Sequence, residues 1–220
     1  MSIFEVAMTS YWRSPDAQAM VALFVSPQVG GDWRAENVLT VPVFLAHVLD
    51  ADPEVAVLLV DAVRGGDAVK VEMVAQALNY SHISARARLM EKLVGEAAAA
   101  SMDENGADFA TFIPTHPVHV DMLWAAFFAT GADVYLDRIT ALLDDWLAET
   151  PLQVLLARAA AEPQVQAQAL AAVLAKTAQT TLATHGRDCP PVRAALARRA
   201  AAMDGLGAAL AARIGAGFQS

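Results

Sequence analysis

Two histidines stand three residues apart in the segment Thr115-His116-Pro117-Val118-His119-Val120-Asp121, with a carboxylate two residues further on. Positions i and i+3 share one face of a helix, and imidazole and carboxylate both ligate transition metals. His116, His119 and Asp121 are therefore the residues to which a metal site, a ligand site or a hydrolytic centre would be assigned. Against that assignment, the HExxH pairing of zinc hydrolases is absent and Pro117 interrupts the run. No third ligand is identifiable beside the two imidazoles. The preferred reading is a helix N-terminus that carries two histidines, with no metal and no cofactor.

The remaining constellations lead to similar readings. Asn79-Tyr80-Ser81-His82, followed by Ser84, sets hydroxyls beside an imidazole. Adjacency in sequence is not the geometry of a catalytic pair, and there is no GxSxG elbow. A polar corner between helices, with Ser and Asn making turn and cap bonds, is the better account. Asp50, Asp52 and Asp61 have the look of spaced calcium ligands, but the mid-loop glycine and terminal Glu are missing, and Pro53 marks a helix start. Gly205-Leu206-Gly207-Ala208-Ala209 looks like a dinucleotide fingerprint, which requires a strand ahead of it. Here Arg198-Arg199-Ala200-Ala201 precedes it, a helical stretch, so close helix packing or a kink is expected. Cys189 is the only cysteine, which excludes an intrachain disulfide and a cysteine-based zinc site. Asp188 beside it does not favour the thiolate. No residue is assigned a catalytic role, and the chain reads as a protein that is not an enzyme.

Aromatic and basic residues point instead to a partner. Trp124 and Trp146 lie at helical spacing on apolar faces and are expected in the core. Trp12 and Trp33 sit in segments without a clear period, where an indole is either a loop anchor or a partly exposed binding hot spot. Arg193, Arg198, Arg199 and Arg213 decorate the last helical stretch. Trp12, Trp33, Arg198 and Arg199 are thus the candidate partner-binding residues. Arginines on an alanine-rich helix are ordinarily solvated, and a net charge of −9 disfavours nonspecific nucleic-acid binding.

At 220 residues the chain is long enough to bury a full core, as one large domain or two small ones. Charge is unevenly spread. Residues 1–150 carry 8 basic and 21 acidic side chains, a net of −13, whereas residues 151–220 carry 7 and 3, a net of +4. The two stretches are the expected divisions: an acidic helical region and an alanine-rich basic cap. Acidic head against basic tail favours contact within one chain or between copies. The N-terminus has no basic region followed by an apolar one, so the cytoplasm is expected, or the periplasm if a signal peptide has been removed. The longest run without Asp, Glu, Lys or Arg, Ala17–Gly31, has 15 residues and contains Pro27 and two glycines, which predicts no membrane span.

Periodicity predicts a chain of short helices, and hence an all-α fold. Ser14-Pro15-Asp16 opens one, and residues 26–40 read as a loop. Val41-Pro42, Asp52-Pro53-Glu54, Asp67 and Ser84 open four more. Residues 101–114 are looser. The segment Thr115–Thr150 reads as two helices joined at Thr130-Gly131-Ala132, with Gly131 as a left-handed C′ residue and Asp133 as the next cap. Beyond Pro151 come two helices divided at Glu162-Pro163. A last long one follows from Pro190-Pro191, with Val192, Leu196, Met203, Leu210 and Ile214 along one face. Serial αα-hairpins suggest an α-solenoid array with a long C-terminal capping helix.

One hairpin resembles a known repeat. The 34 residues from Pro117 to Thr150 have the length of a tetratricopeptide unit. Leu123, Phe127 and Gly131 fall where that family has a leucine, an aromatic and the turn glycine; Trp124 and Leu136 fall where it has small residues. The segments PVFLAHVLDADPE and DMLWAAFFATG are also similar to a family of uncharacterised bacterial helical proteins, a similarity that implies no activity. The expectation is a helical-repeat protein that binds a protein or peptide, or assembles with itself. The alternative is a small helical metal- or ligand-binding protein or hydrolase built on His116, His119 and Asp121.

Overall fold

In the computed structural model the described residues are 3–30, 33, 35–102, 106–146, 151–202 and 205–218. Among them the regular structure is helical throughout, with no strand. The first seven helices are α1 (Ile3–Ser10), α2 (Ala17–Val25), α3 (Ala35–Ala51), α4 (Val55–Val63), α5 (Ala68–Tyr80), α6 (Arg86–Val94) and α7 (Glu96–Ala100). The next six are α8 (Pro117–Thr130), α9 (Asp133–Ala141), α10 (Leu152–Ala161), α11 (Gln166–His185), α12 (Pro190–Ala202) and α13 (Leu206–Ala216). Short 3-10 turns occupy Tyr11–Arg13, Leu142–Asp145 and Pro163–Val165. Among the described residues no helix is long and apolar enough to cross a membrane.

Contacts gather the chain into two units, Met1–Thr111 with Trp124–Gly131, and Phe112–Leu123 with Ala132–Ser220. The change of charge at Pro151 falls inside the second unit. The first is built on aromatic packing. Phe4 meets Phe24 and Phe44 edge-on, with centroids 5.5 and 6.3 Å apart, and Tyr11 meets Phe44 at 5.3 Å. Such pairs add about 0.5–1.5 kcal/mol each beyond the area they bury. Helix α3 lies along α5, and α4 packs on α2 and α6. Trp124 stacks on Phe128 within the same unit.

The second unit is held largely by small side chains. Ala175, Ala178, Ala195 and Ala211 are fully buried, interleaved with Leu136, Ile139, Leu143, Leu182 and Val192. Small residues let helix axes approach closely. Gly207 marks a close approach of backbone to backbone: a Cβ there would lie 2.9 Å from the Asp144 Cα and 3.0 Å from its amide nitrogen. Helix α13 thereby settles against the 142–145 turn and α12.

Local signals account for most boundaries. Asp16 and Asp67 cap α2 and α5, accepting from the amides of Ala19 and Val69. Gly131 takes φ +68° and donates its amide to Phe127 O, closing α8 as its position predicts. Other expectations need correction. Ile3–Ser10 form a helix, α1, where no helix start is marked before Ser14, and its buried residues are Phe4 and Met8. Pro42 does not open a helix but lies inside α3, which starts at Ala35. A proline in a helix interior costs about 3 kcal/mol or more; the fully buried Val41, Val43, Phe44 and Leu45 around it supply the offsetting packing. The buried face of α5 is formed by Lys70, Met73, Val74, Ala77 and Leu78. The N-cap of α9 is Ala132, with no side-chain cap bond, and Asp133 turns to an ion pair instead. The single long terminal helix is divided into α12 and α13, with Gly205 at φ +115°, outside the helical region. Gly31, Met203 and residues 147–150 of the tetratricopeptide-like stretch lie outside the described residues.

Candidate functional site

The two histidines weighed as metal ligands each engage the backbone through Nδ1. His116 Nδ1 accepts from the Val118 amide at 3.2 Å, and His119 Nδ1 accepts from the Thr115 amide at 3.0 Å. His116 thus does the work of an N-cap for α8, satisfying an amide that the first turn leaves open. A ring that accepts at Nδ1 carries its proton on Nε2, so that nitrogen has no lone pair for a metal. The rings lie edge to face with centroids 6.1 Å apart, and His119 packs on Phe112 at 4.8 Å. Burial first, and His116 second, push the His119 imidazole below its ordinary pKa. Among the described residues no three of His, Cys, Asp and Glu, Asp121 included, come together as a group that could hold a metal.

The polar corner at Asn79–Ser84 holds an imidazole pair that crosses 32 residues of sequence. Asp50, at the end of α3, accepts the His82 amide at 2.6 Å and faces His82 Nδ1 at 3.0 Å. A carboxylate oxygen accepts, so Nδ1 of this half-exposed ring is the donor. Close by, half-buried His47 packs on Phe109 with ring centroids 5.8 Å apart. Burial holds it below its usual pKa, with Asp50 opposing and His82 reinforcing the shift. The Thr111 hydroxyl, bonded at 2.8 Å, leads a set of bonds that keep the Asp108 carboxyl below the ordinary range. Chemically, this is an imidazole oriented by a carboxylate. The hydroxyl adjacent in sequence is not aimed at it: Ser81 is fully buried and donates to Leu78 O. The other carboxylates of the calcium-like set disperse, Asp52 to the Glu54 amide and Asp61 to an ion pair with Lys92.

The candidate partner residues are placed individually. Trp12 packs on Phe127 at 5.8 Å with Arg13 over its ring. Trp33 leans on Phe4 and Phe24, and its buried Nε1–H has no hydrogen-bond partner among the described residues. Arg198 pairs with Asp133 and Asp137 at 3.2 and 2.8 Å, and Arg199 pairs with Asp144. The basic C-terminal stretch thus meets acidic residues from before position 150 within the second unit. The Cys189 thiol is buried.

The second unit also contains an open slot of about 370 Å³ that sequence reasoning does not anticipate. Arg138 and Ala141 of α9, with Leu142 and Asp145 of the following turn, form one wall. Ala167, Leu170, Ala171 and Leu174 of α11 form the other. Arg138 donates to Phe112 O, which fixes the neighbouring Ile113 and Pro114 at the rim; Ile113 is 73% exposed. The arrangement is an apolar trough with one cation and one anion along a single wall, suited to an apolar ridge flanked by charges. Comparison of the chain with protein-family models, with curated proteins and with solved structures finds no match.

Proposed function

We propose that this chain is a non-enzymatic helical interaction protein that receives an amphipathic helix in the slot between α9 and α11. The observation that carries the reading is the chemistry of the slot: two facing walls of Ala and Leu, with Arg138 and Asp145 to orient what enters. Binding sites of this kind are concave, mostly apolar and carry few polar groups. A helix enters such a groove by residues at i, i+3, i+4 and i+7. Serial helices and the tetratricopeptide-like stretch from Pro117 agree with a binding scaffold of the helical-hairpin kind. The hydrolytic alternative at His116 and His119 loses its support when both Nδ1 atoms are engaged by backbone amides.

A selection from displayed helical peptides, counter-selected against Ala167→Glu with Leu170→Asp, tests the reading. The expected winners share apolar residues at i, i+3, i+4 and i+7. They bind the wild-type chain and lose at least tenfold in affinity for the variant, a difference of about 1.4 kcal/mol. A selection that enriches no peptide able to tell the two proteins apart refutes it.

A further inference from the structure

The slot and helix α10 are two unfilled surfaces of one unit, and each has what the other lacks. Leu152, Leu155 and Ala159 of α10 pack against Val165, Ala169 and Ala172. The exposed residues of α10 are Gln153, Val154, Leu156, Ala157, Arg158, Ala160 and Ala161, of which Val154 is 49% and Leu156 46% exposed. Five of the seven are apolar. A water-facing helix surface ordinarily carries charge and polarity. Here the one charged residue among them, Arg158, pairs with Glu162 one turn further on at 3.1 Å. Val154, Ala157, Arg158 and Ala161 follow the i, i+3, i+4, i+7 pattern of a helix that lies in a groove.

The two surfaces cannot meet within one chain. Helix α10 packs on the Ala169–Ala172 side of α11, whereas the slot uses Ala167, Leu170, Ala171 and Leu174. At about 100° per residue these stripes lie on different sides of α11, so the body of α11 stands between them. Another copy of the chain can supply the ridge. We propose that the outer face of α10 of one copy enters the slot of a second copy. The charges match: Glu162 faces the Arg138 guanidinium, and Arg158 faces Asp145. Such a contact joins unlike surfaces, so it repeats from copy to copy as a chain or closes into a ring. This inference rests on the reading of the slot as a helix-binding groove and names its partner.

Light scattering on fractionated full-length protein tests it with two variants. Val154→Glu with Ala157→Glu spoils the ridge; Ala167→Glu with Leu170→Asp spoils the slot. All four positions are exposed in the folded chain, and circular dichroism melts identify any variant that fails to fold. The single variants Ala157→Glu and Ala167→Glu stand in where a double fails. The wild type is expected above its 23.2 kDa monomer mass, rising with concentration. Each variant alone is expected to remain a monomer, and their equimolar mixture to form a dimer and nothing larger, because one intact ridge meets one intact slot. A wild type that stays monomeric, a variant that assembles as the wild type does, or a mixture that stays monomeric overturns the inference. If the peptide selection succeeds while the chain stays monomeric, the self-partner alone falls. If the selection also fails, the reading of the slot falls with it.

Discussion

Replacing Gly207 by alanine probes the packing that sets α13 against the wall of the slot. The added Cβ would stand 2.5 Å from Asp144 Oδ1, 2.9 Å from its Cα and 3.0 Å from its amide nitrogen. A side-chain oxygen can swing away, but the two backbone atoms move only if the 142–145 turn moves. Overpacking of this kind costs about 1–3 kcal/mol. Alanine returns about 0.5–1 kcal/mol because it is a better helix former than glycine. The net loss is about 1–2 kcal/mol, or about 2–8 °C in melting temperature for a chain of this size. Gly215, in the same helix, has nothing within 4 Å of the place an added Cβ would occupy, and no positive φ. Gly215→Ala is therefore expected to stabilise, by a few tenths to about 1 kcal/mol. Paired thermal and urea melts of the two variants give the sign directly. Because displacement of Asp144 also disturbs its bond to Arg199 Nε at 3.2 Å, Gly207→Ala and Arg199→Ala should be non-additive in a double-mutant cycle. Equal effects of Gly207→Ala and Gly215→Ala would refute the close approach.

Other expectations follow from the same contacts. Burial lowers the pKa of His47 and His185 below the ordinary 6.5; the unfolded chain then binds more protons, so stability is full above about pH 6.5 and is lost as pH falls through the folded-state values. Urea midpoints measured from pH 8 to 5 should show that decline, and His47→Gln should flatten it. Asp50→Asn keeps the shape but loses the charge that accepts both His82 bonds, and a loss of about 1–3 kcal/mol in chemical denaturation is expected. Arg198 is 43% exposed where it bridges Asp133 and Asp137; Arg198→Ala should cost no more than about 1 kcal/mol, a difference that shrinks at high salt.

Features written in neighbouring residues are legible in the sequence. Gly131 ends α8 and Asp67 caps α5 because a left-handed glycine and a side-chain cap act within one turn. All-helical structure follows from the same short-range rules. Helix α1 escapes a reading by period because Phe4 and Met8 mark its buried face, one pair and no repeat. Pro42 misleads because its helix-breaking tendency is local while the packing of Val41, Val43 and Phe44 that overrides it is tertiary. The bond of Asp50 to His82 joins positions 32 residues apart, and no spacing rule reaches that far. The slot is harder still. It exists only because α9 and the Leu142–Asp145 turn are set opposite residues 167–174 of α11, an apposition decided by how helices pack and not by the residues of either one. A helix start beside His116 and His119 is visible in the spacing, but the Nδ1 acceptance from backbone amides that secures it depends on coordinates.

Photo-crosslinking between isotopically distinct copies tests the central claim most directly. A benzophenone side chain is placed at position 154 of an unlabelled copy, mixed with a uniformly labelled wild-type copy, and the crosslinked peptides are identified by mass. Crosslinks from position 154 of one copy to Ile113, Ala141 or the Ala167–Leu174 stretch of the other are expected, and they should vanish when the labelled copy carries Leu170→Asp. Crosslinks found only within one copy, or distributed over surfaces away from the slot, would contradict it.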